Sequence, residues 1–270
     1  MTGILAGLLI AYLGLVGIVF LAQRSLMYHP GGNHGEPSAY GVPEMRRIDA
    51  QSTDGLTIES WYVEARDYLP TLIFFQGNAG AIADRGDKVR PFIDRGYGVL
   101  LVGYRGYGGN PGSPTEAGLY ADATAALTFL EAQEIGQENW VLYGESLGTG
   151  VAVEMAINWA RRDSAVGAVV LEAPFTTMGD AAASHYPYLP ARHLVRDKYS
   201  SISKIRNILA PLLIFHGDRD RVIPQKLGKK LFDAAAEPKQ SLWISGAGHN
   251  DLFDFGAADH VIRFIDGKIQ

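Results

Sequence analysis

The chain has 270 residues, a formal net charge of −5 and no cysteine. That length suits one large domain or two small ones. The acidic balance argues against a nucleic-acid binder, and without cysteine there is no disulfide, Fe–S cluster, cysteine-ligated zinc or thiol nucleophile.

The apolar content is concentrated at the start. Residues 3–22, GILAGLLIAYLGLVGIVFLA, contain sixteen apolar residues and no charge. As a helix they rise about 30 Å, the thickness of a bilayer's hydrocarbon core. A cleaved signal peptide needs a positive leading region and a small residue near its cleavage site. Here only Met1 and Thr2 precede the run, and Phe20 stands where the small residue belongs. A buried core helix would be amphipathic, and this segment is apolar all round. The expectation is a single membrane anchor, and Arg24 just after it leans the following domain toward the cytoplasmic face. Gly3, Gly7 and Ala11 recur at four-residue spacing, read here as ordinary span composition rather than a helix-pairing face. Residues 23–44, rich in Gly and Pro, read as a stalk.

Beyond the stalk, 45–50 and 57–63 predict a hairpin around Thr53-Asp54-Gly55. TLIFF (71–75), GVLLV (98–102), WVLY (140–143), AVVL (168–171), LLIF (212–215) and LWI (242–244) are short apolar runs, as expected of strands buried on both faces. Helical periodicity fills about 82–95, 115–132, 147–162, 224–236 and 250–266 between them. This alternation predicts an α/β fold: a mostly parallel sheet with helices on both faces and the hairpin at one edge. Ligands of such sheets bind at the carboxyl ends of the strands.

WVLY runs into Gly144-Glu145-Ser146-Leu147-Gly148, a G-x-S-x-G between a predicted strand and a predicted helix. A serine there sits on a strained turn with its hydroxyl clear of the backbone. Gly144 and Gly148 supply the tiny residues that the close strand–helix approach needs, and Gly150 is expected to ease helix–sheet packing. Serine needs a base and an orienting acid. His249 lies in a flexible loop, GAGHND, after the last predicted strand. Among the other histidines, His260 falls in the last helix, His216 ends a strand where local hydrogen bonding is expected, and His29 and His34 lie in the stalk. His185 and His193 follow AVVL and are candidates for a pocket wall. Asp218 and Asp220 both follow LLIFHG; Asp220, deeper in the loop before Pro224, is favoured as the acid, with Asp218 as a turn-former or supporting partner. The order Ser146, Asp220, His249 is that of the hydrolase fold and not of the two protease folds. For the oxyanion, the Leu147 N–H is one expected donor. The second is assigned to Asn78 in QGNAG (76–80), with Gly77 as the less favoured choice.

These segments make the chain resemble the serine hydrolases of the α/β-hydrolase superfamily, most closely the small membrane-anchored ABHD-type branch. The resemblance rests on QRSLMYHP (23–30), QGNAG (76–80), GYRGYGGNPGSPTEAGL (103–119), GESLGTGVA (144–152), EAPFTTM (172–178), HGDRDRVIP (216–224) and GAGHND (246–251). It implies Ser146, Asp220 and His249 as the triad, an uncleaved anchor, and ester or thioester substrates, including in some relatives the acyl groups of lipidated proteins. Gln76 departs from the His of many relatives, which is expected to alter loop hydrogen bonding more than chemistry. Tyr104 and Arg105 match the family's YRGYG segment, read as support for the site, with direct substrate contact as the alternative.

The expected organisation is an anchor at 3–22, a stalk at 23–44 and a catalytic domain at 45–270. Residues 174–206 would form a short lid carrying Phe175, Tyr186, Tyr188, Leu189, Pro190, Arg192, Arg196 and Lys198. Its aromatics either line an acyl pocket or pack an irregular loop. The expected reaction is acyl transfer to water on lipophilic or membrane-associated esters or thioesters, small molecules, lipids or acylated proteins. A serine peptidase or amidase of the same fold is one alternative, though no propeller-sized N-terminal domain is present. A membrane-anchored binding protein that no longer reacts is another. No cofactor or metal is expected: there is no H-E-x-x-H and no G-x-x-x-x-G-K-[ST].

Overall fold

Strands buried on both faces form the centre of the molecule, described by a computed structural model for residues 2–33, 35–162 and 164–269. His34 lies outside the described residues. The strands are β1 (His29–Pro30), β2 (Arg46–Gln51), β3 (Thr57–Val63), β4 (Thr71–Phe75), β5 (Ala79–Gly80), β6 (Gly98–Val102), β7 (Trp140–Glu145), β8 (Ala168–Glu172), β9 (Leu212–Gly217) and β10 (Lys239–Ile244). The helices are α1 (Thr2–Met27), α2 (Gly86–Arg95), α3 (Glu116–Ala132), α4 (Gly148–Ala160), α5 (Met178–His185), α6 (Ala191–Leu194), α7 (Gln225–Ala234) and α8 (Ala257–Asp266).

The main sheet has the order β2-β3-β6-β4-β7-β8-β9-β10. From β6 to β10 every pairing is parallel, and the β2–β3 hairpin adds two antiparallel strands at one edge. Alternation within each strand divides the core. Ile73, Phe75 and Leu142 pack with α3, α4 and α7, whereas Leu72, Phe74 and Tyr143 pack with α2 and α8 on the opposite face. Such two-sided burial is what parallel strands require.

Local chemistry sets the element ends. Thr115 caps α3 by accepting from the Gly118 N–H at 3.0 Å. Gly96, at φ +96°, stops α2 in the left-handed conformation that glycine adopts without cost. Two expected helices are each split. A 3₁₀ turn at Ile82–Arg85 precedes α2, and a second at Leu252–Phe255 ends at Gly256 before α8 begins. Pro224 stands just outside α7 with extended backbone.

The stalk and the lid differ most from expectation. The α1 helix does not stop at residue 22 but continues to Met27. The stalk is stitched to the domain: β1 pairs in parallel with β5, and Tyr28 and Val42 are buried. Residues 174–206 are not an irregular loop, since α5 and α6 lie there in mutual contact. Gly150 faces this region and not the sheet; a Cβ there would lie 2.8 Å from the Tyr199 Cβ.

Arg105 ties the hairpin to α3. It makes paired hydrogen bonds to buried Asp122, from Nη2 at 2.8 Å and Nε at 3.1 Å, and reaches Asp54 in the hairpin turn. These contacts make Arg105 a structural strut that does not touch the candidate site. Removing it strands Asp122 as an uncompensated buried carboxylate. Arg105→Ala is therefore expected to cost about 3 kcal/mol of stability, read as a lowered denaturation midpoint in urea.

Candidate active site

The carboxyl ends of β4, β7 and β9 and the loop after β10 meet on one side of the sheet. At the end of β7, Ser146 has φ +51°, the strained left-handed backbone of an elbow. The turn is held by the Ser146 N–H donating to the Glu172 carbonyl at 2.9 Å and the Thr149 hydroxyl donating to the Ser146 carbonyl at 2.6 Å. Glycine is required on both sides. A Cβ at Gly148 would lie 2.0 Å from the Phe75 carbonyl oxygen, and one at Gly144 would lie 2.5 Å from the Thr149 Cα.

The three side chains singled out in the sequence come together. His249 Nε2 is 3.0 Å from Ser146 Oγ, and His249 Nδ1 is 2.7 Å from Asp220 Oδ2. With Nδ1 protonated and donating to Asp220, Nε2 is free to accept from the serine hydroxyl. Asp220 also accepts at Oδ1 from the backbone N–H groups of Val222 and Ile223, both at 2.7 Å. Burial opposes its charge, but hydrogen bonds from His216, His249 and the Ile223 backbone prevail and hold the carboxyl well below its usual range. It therefore stays ionised at neutral pH. Asp218 is spent on the turn, accepting from the Gly246 N–H at 2.8 Å and the Ser245 hydroxyl at 3.1 Å.

The QGNAG loop lies beside the elbow. Leu147 and Asn78 line the same cavity as Ser146, and among the described residues neither backbone N–H donates to a protein acceptor. Gly77 is close, since a Cβ there would lie 3.5 Å from the Ser146 Cβ, but it does not line the cavity. The loop is braced from two sides. The Asn78 carbonyl accepts from the Tyr107 hydroxyl at 2.8 Å and from the His29 N–H at 2.8 Å, and the Asn78 amide donates to the Met27 carbonyl at 2.7 Å. Tyr104 reaches the Gln76 carbonyl at 3.4 Å. The Gln76 side chain is fully buried and has no hydrogen-bond partner among the described residues.

Sequence reasoning missed a charged layer beneath the serine. Glu145 bonds Arg85 at 2.8 Å, while Glu172 accepts from Lys88 at 2.7 Å and from the Tyr143 hydroxyl. Burial disfavours charge on Glu145, yet Lys88 and Arg85 outweigh it and lower its pKa. His216 makes the local hydrogen bonds expected of it, but its partner is the candidate acid, which the sequence reading did not connect to it. Fully buried, its Nε2–H points at Asp220 Oδ2 (3.0 Å) and at the Ile223 carbonyl (2.8 Å). A signal existed for His216, four residues before Asp220 at the end of β9; none existed for Arg85 and Lys88.

Ser146 opens into a cavity of about 480 Å³, within the usual range for small-molecule sites. Phe175, Tyr186, Tyr188 and Leu189 line it, so the three aromatics and the leucine of this segment face the cavity. His185 also lines it and bonds the Val222 carbonyl at 2.7 Å; His193 is exposed and does not. Pro190 precedes α6, Arg192 pairs with Asp180 at 2.8 Å, and Arg196 and Lys198 are exposed.

The model of the alpha/beta hydrolase fold family matches residues 70–192. An uncharacterized protein of Mycobacterium tuberculosis is 38% identical over 241 residues, covering 88% of this chain and 84% of that protein. The lysophosphatidylserine lipase ABHD12 of Danio rerio is 33% identical over 214 residues, which are 73% of this chain and 55% of the lipase. Among solved structures, an esterase of Pyrococcus furiosus superposes with a TM-score of 0.67 at 18% identity, covering 90% of this chain and 99% of the esterase, and so shares the fold. The chain is an α/β hydrolase, similar over 69–73% of its length to proteins of the ABHD branch.

Proposed function

We propose that this protein is a membrane-anchored serine hydrolase that cleaves ester or thioester bonds of lipophilic acyl substrates. The observation that carries the reading is the Ser146–His249–Asp220 chain of contacts, at 3.0 and 2.7 Å, at the foot of a mostly apolar cavity. Similarity to a protein named as a lysophosphatidylserine lipase supports a lipid acyl ester as substrate. The length and apolarity of α1 support the anchor. Arg24, from which a cytoplasmic placement was expected, binds Asp197 at 2.8 and 3.0 Å and so also serves the lid.

In this mechanism neutral His249 takes the proton of Ser146 as its oxygen attacks the acyl carbonyl. Ionised Asp220 holds the imidazole tautomer and stabilises the imidazolium. The Leu147 and Asn78 N–H groups stabilise the tetrahedral oxyanion. His249 then gives its proton to the leaving alcohol or thiol. Water, deprotonated by the same imidazole, hydrolyses the acyl-enzyme.

Ser146→Ala is expected to abolish turnover of a p-nitrophenyl acyl ester; unchanged turnover would refute the assignment. Asp220→Asn should lower kcat by about 10⁴-fold, while Asp218→Asn, which disturbs only a turn, should leave most of it. The reverse ranking would show that Asp218 is the acid. Along a series of acyl esters, each methylene buried in the cavity is worth about 0.8 kcal/mol, or about fourfold in kcat/KM. A profile that falls with chain length would exclude lipophilic substrates.

A further inference from the structure

The lower half of α1 is not a bare tether. Val16, Val19, Phe20, Gln23 and Met27 line the same cavity as Ser146, facing α5 and α6. Their spacing places them on one helical face. The packing is anchored at three levels. Near the site the Met27 carbonyl accepts from Asn78, one turn above it Arg24 pairs with buried Asp197, and far along the helix the Tyr12 hydroxyl donates to the Tyr188 carbonyl at 2.9 Å. At the rise of an α-helix, Met27 and Tyr12 are separated by about 22 Å. The cleft between α1 and the lid therefore begins at the nucleophile and extends along the segment whose composition suits it to hydrocarbon. Phe20 lines the cleft yet is 38% exposed, so the cleft is open at its side to whatever surrounds α1.

On the reading that Ser146 is an acyl-transfer nucleophile, we propose that α1 forms one wall of the acyl site, and that a long-chain lipid ester enters it sideways from the bilayer. The acyl chain lies between α1 and α5–α6 with its carbonyl at Ser146. Two constraints select this occupant. The cleft lies alongside a helix apolar enough for a bilayer, where a substrate dissolved in the leaflet reaches it without crossing water. Its walls next to α1 are aliphatic and aromatic, which suits a hydrocarbon chain and offers little to a polar one.

The absence of cysteine makes a clean test available. Full-length Val19→Cys protein in detergent micelles is treated with a hexadecyl or an ethyl fluorophosphonate, each of which phosphonylates Ser146 with loss of fluoride. Alkylation of the introduced thiol by N-ethylmaleimide is then timed. Leu21→Cys, on the outward face and 80% exposed at the native residue, is the reference. The hexadecyl adduct should slow alkylation of the Val19→Cys thiol about fivefold or more, as expected where a pocket covers most of its ligand. The ethyl adduct should not slow it, and Leu21→Cys should respond to neither. Equal alkylation of Val19→Cys with both adducts, or equal slowing at both positions, would overturn the acyl wall while leaving Ser146 as the nucleophile. Failure of both probes to modify Ser146 would instead overturn the hydrolase reading, and the acyl wall with it.

Discussion

Everything in the candidate site depends on how closely β7 and α4 approach at the elbow. The Phe75 carbonyl oxygen occupies the space where any side chain at position 148 would begin, and the Thr149 backbone does the same at position 144. Only glycine lets the chain reverse there, and that reversal forces the left-handed backbone of Ser146. Because β7 is flanked by β4 and β8, the turn emerges among the loops that carry the other groups. The loop after β4 brings Asn78, the loop after β9 brings Asp220, and the loop after β10 brings His249. A parallel sheet delivers these ends to one side without further design.

That geometry has an electrostatic cost. Glu145 and Glu172 are drawn into the interior beside Ser146, and a buried unpaired carboxylate is expensive. Arg85 and Lys88, from the segment that follows β5, offset them, and Tyr143 closes the layer. Asp220 is treated differently. It is kept ionised by donated hydrogen bonds from two histidines and the backbone, and among the described residues no arginine or lysine forms an ion pair with it. The result is a carboxylate whose interaction with His249 is not competed for by a permanent cation.

The fold was legible because strand runs and helical periodicity are local, and the elbow because its glycines obey a local steric rule. The order Ser146, Asp220, His249 added strand-end positions that chance does not readily supply. Helix breaks at Arg85 and Gly256 escaped because a 3₁₀ turn continues the apolar pattern of the helix that follows it. The docking of α1 escaped for another reason. Arg24 and Asp197 are 173 residues apart, and no spacing rule connects them. Composition marked 23–44 as loose, yet β1 fastens its beginning to the QGNAG loop and buried Tyr28 bonds Tyr199. The missed charged layer has the same origin: Lys88 and Glu172 are brought together only by the folded sheet.

The junction between helix and domain has a mechanical meaning. α1 ends at Met27, β1 begins at His29, and the single residue between them is buried, its hydroxyl 2.9 Å from that of Tyr199. There is no slack for the domain to swivel. The helix is a mast rather than a mooring line, and any tilt it takes carries the serine hydroxyl with it. Seated in a bilayer, every copy would present its cleft at one height and one angle to the leaflet. The search for substrate would then reduce to diffusion in two dimensions.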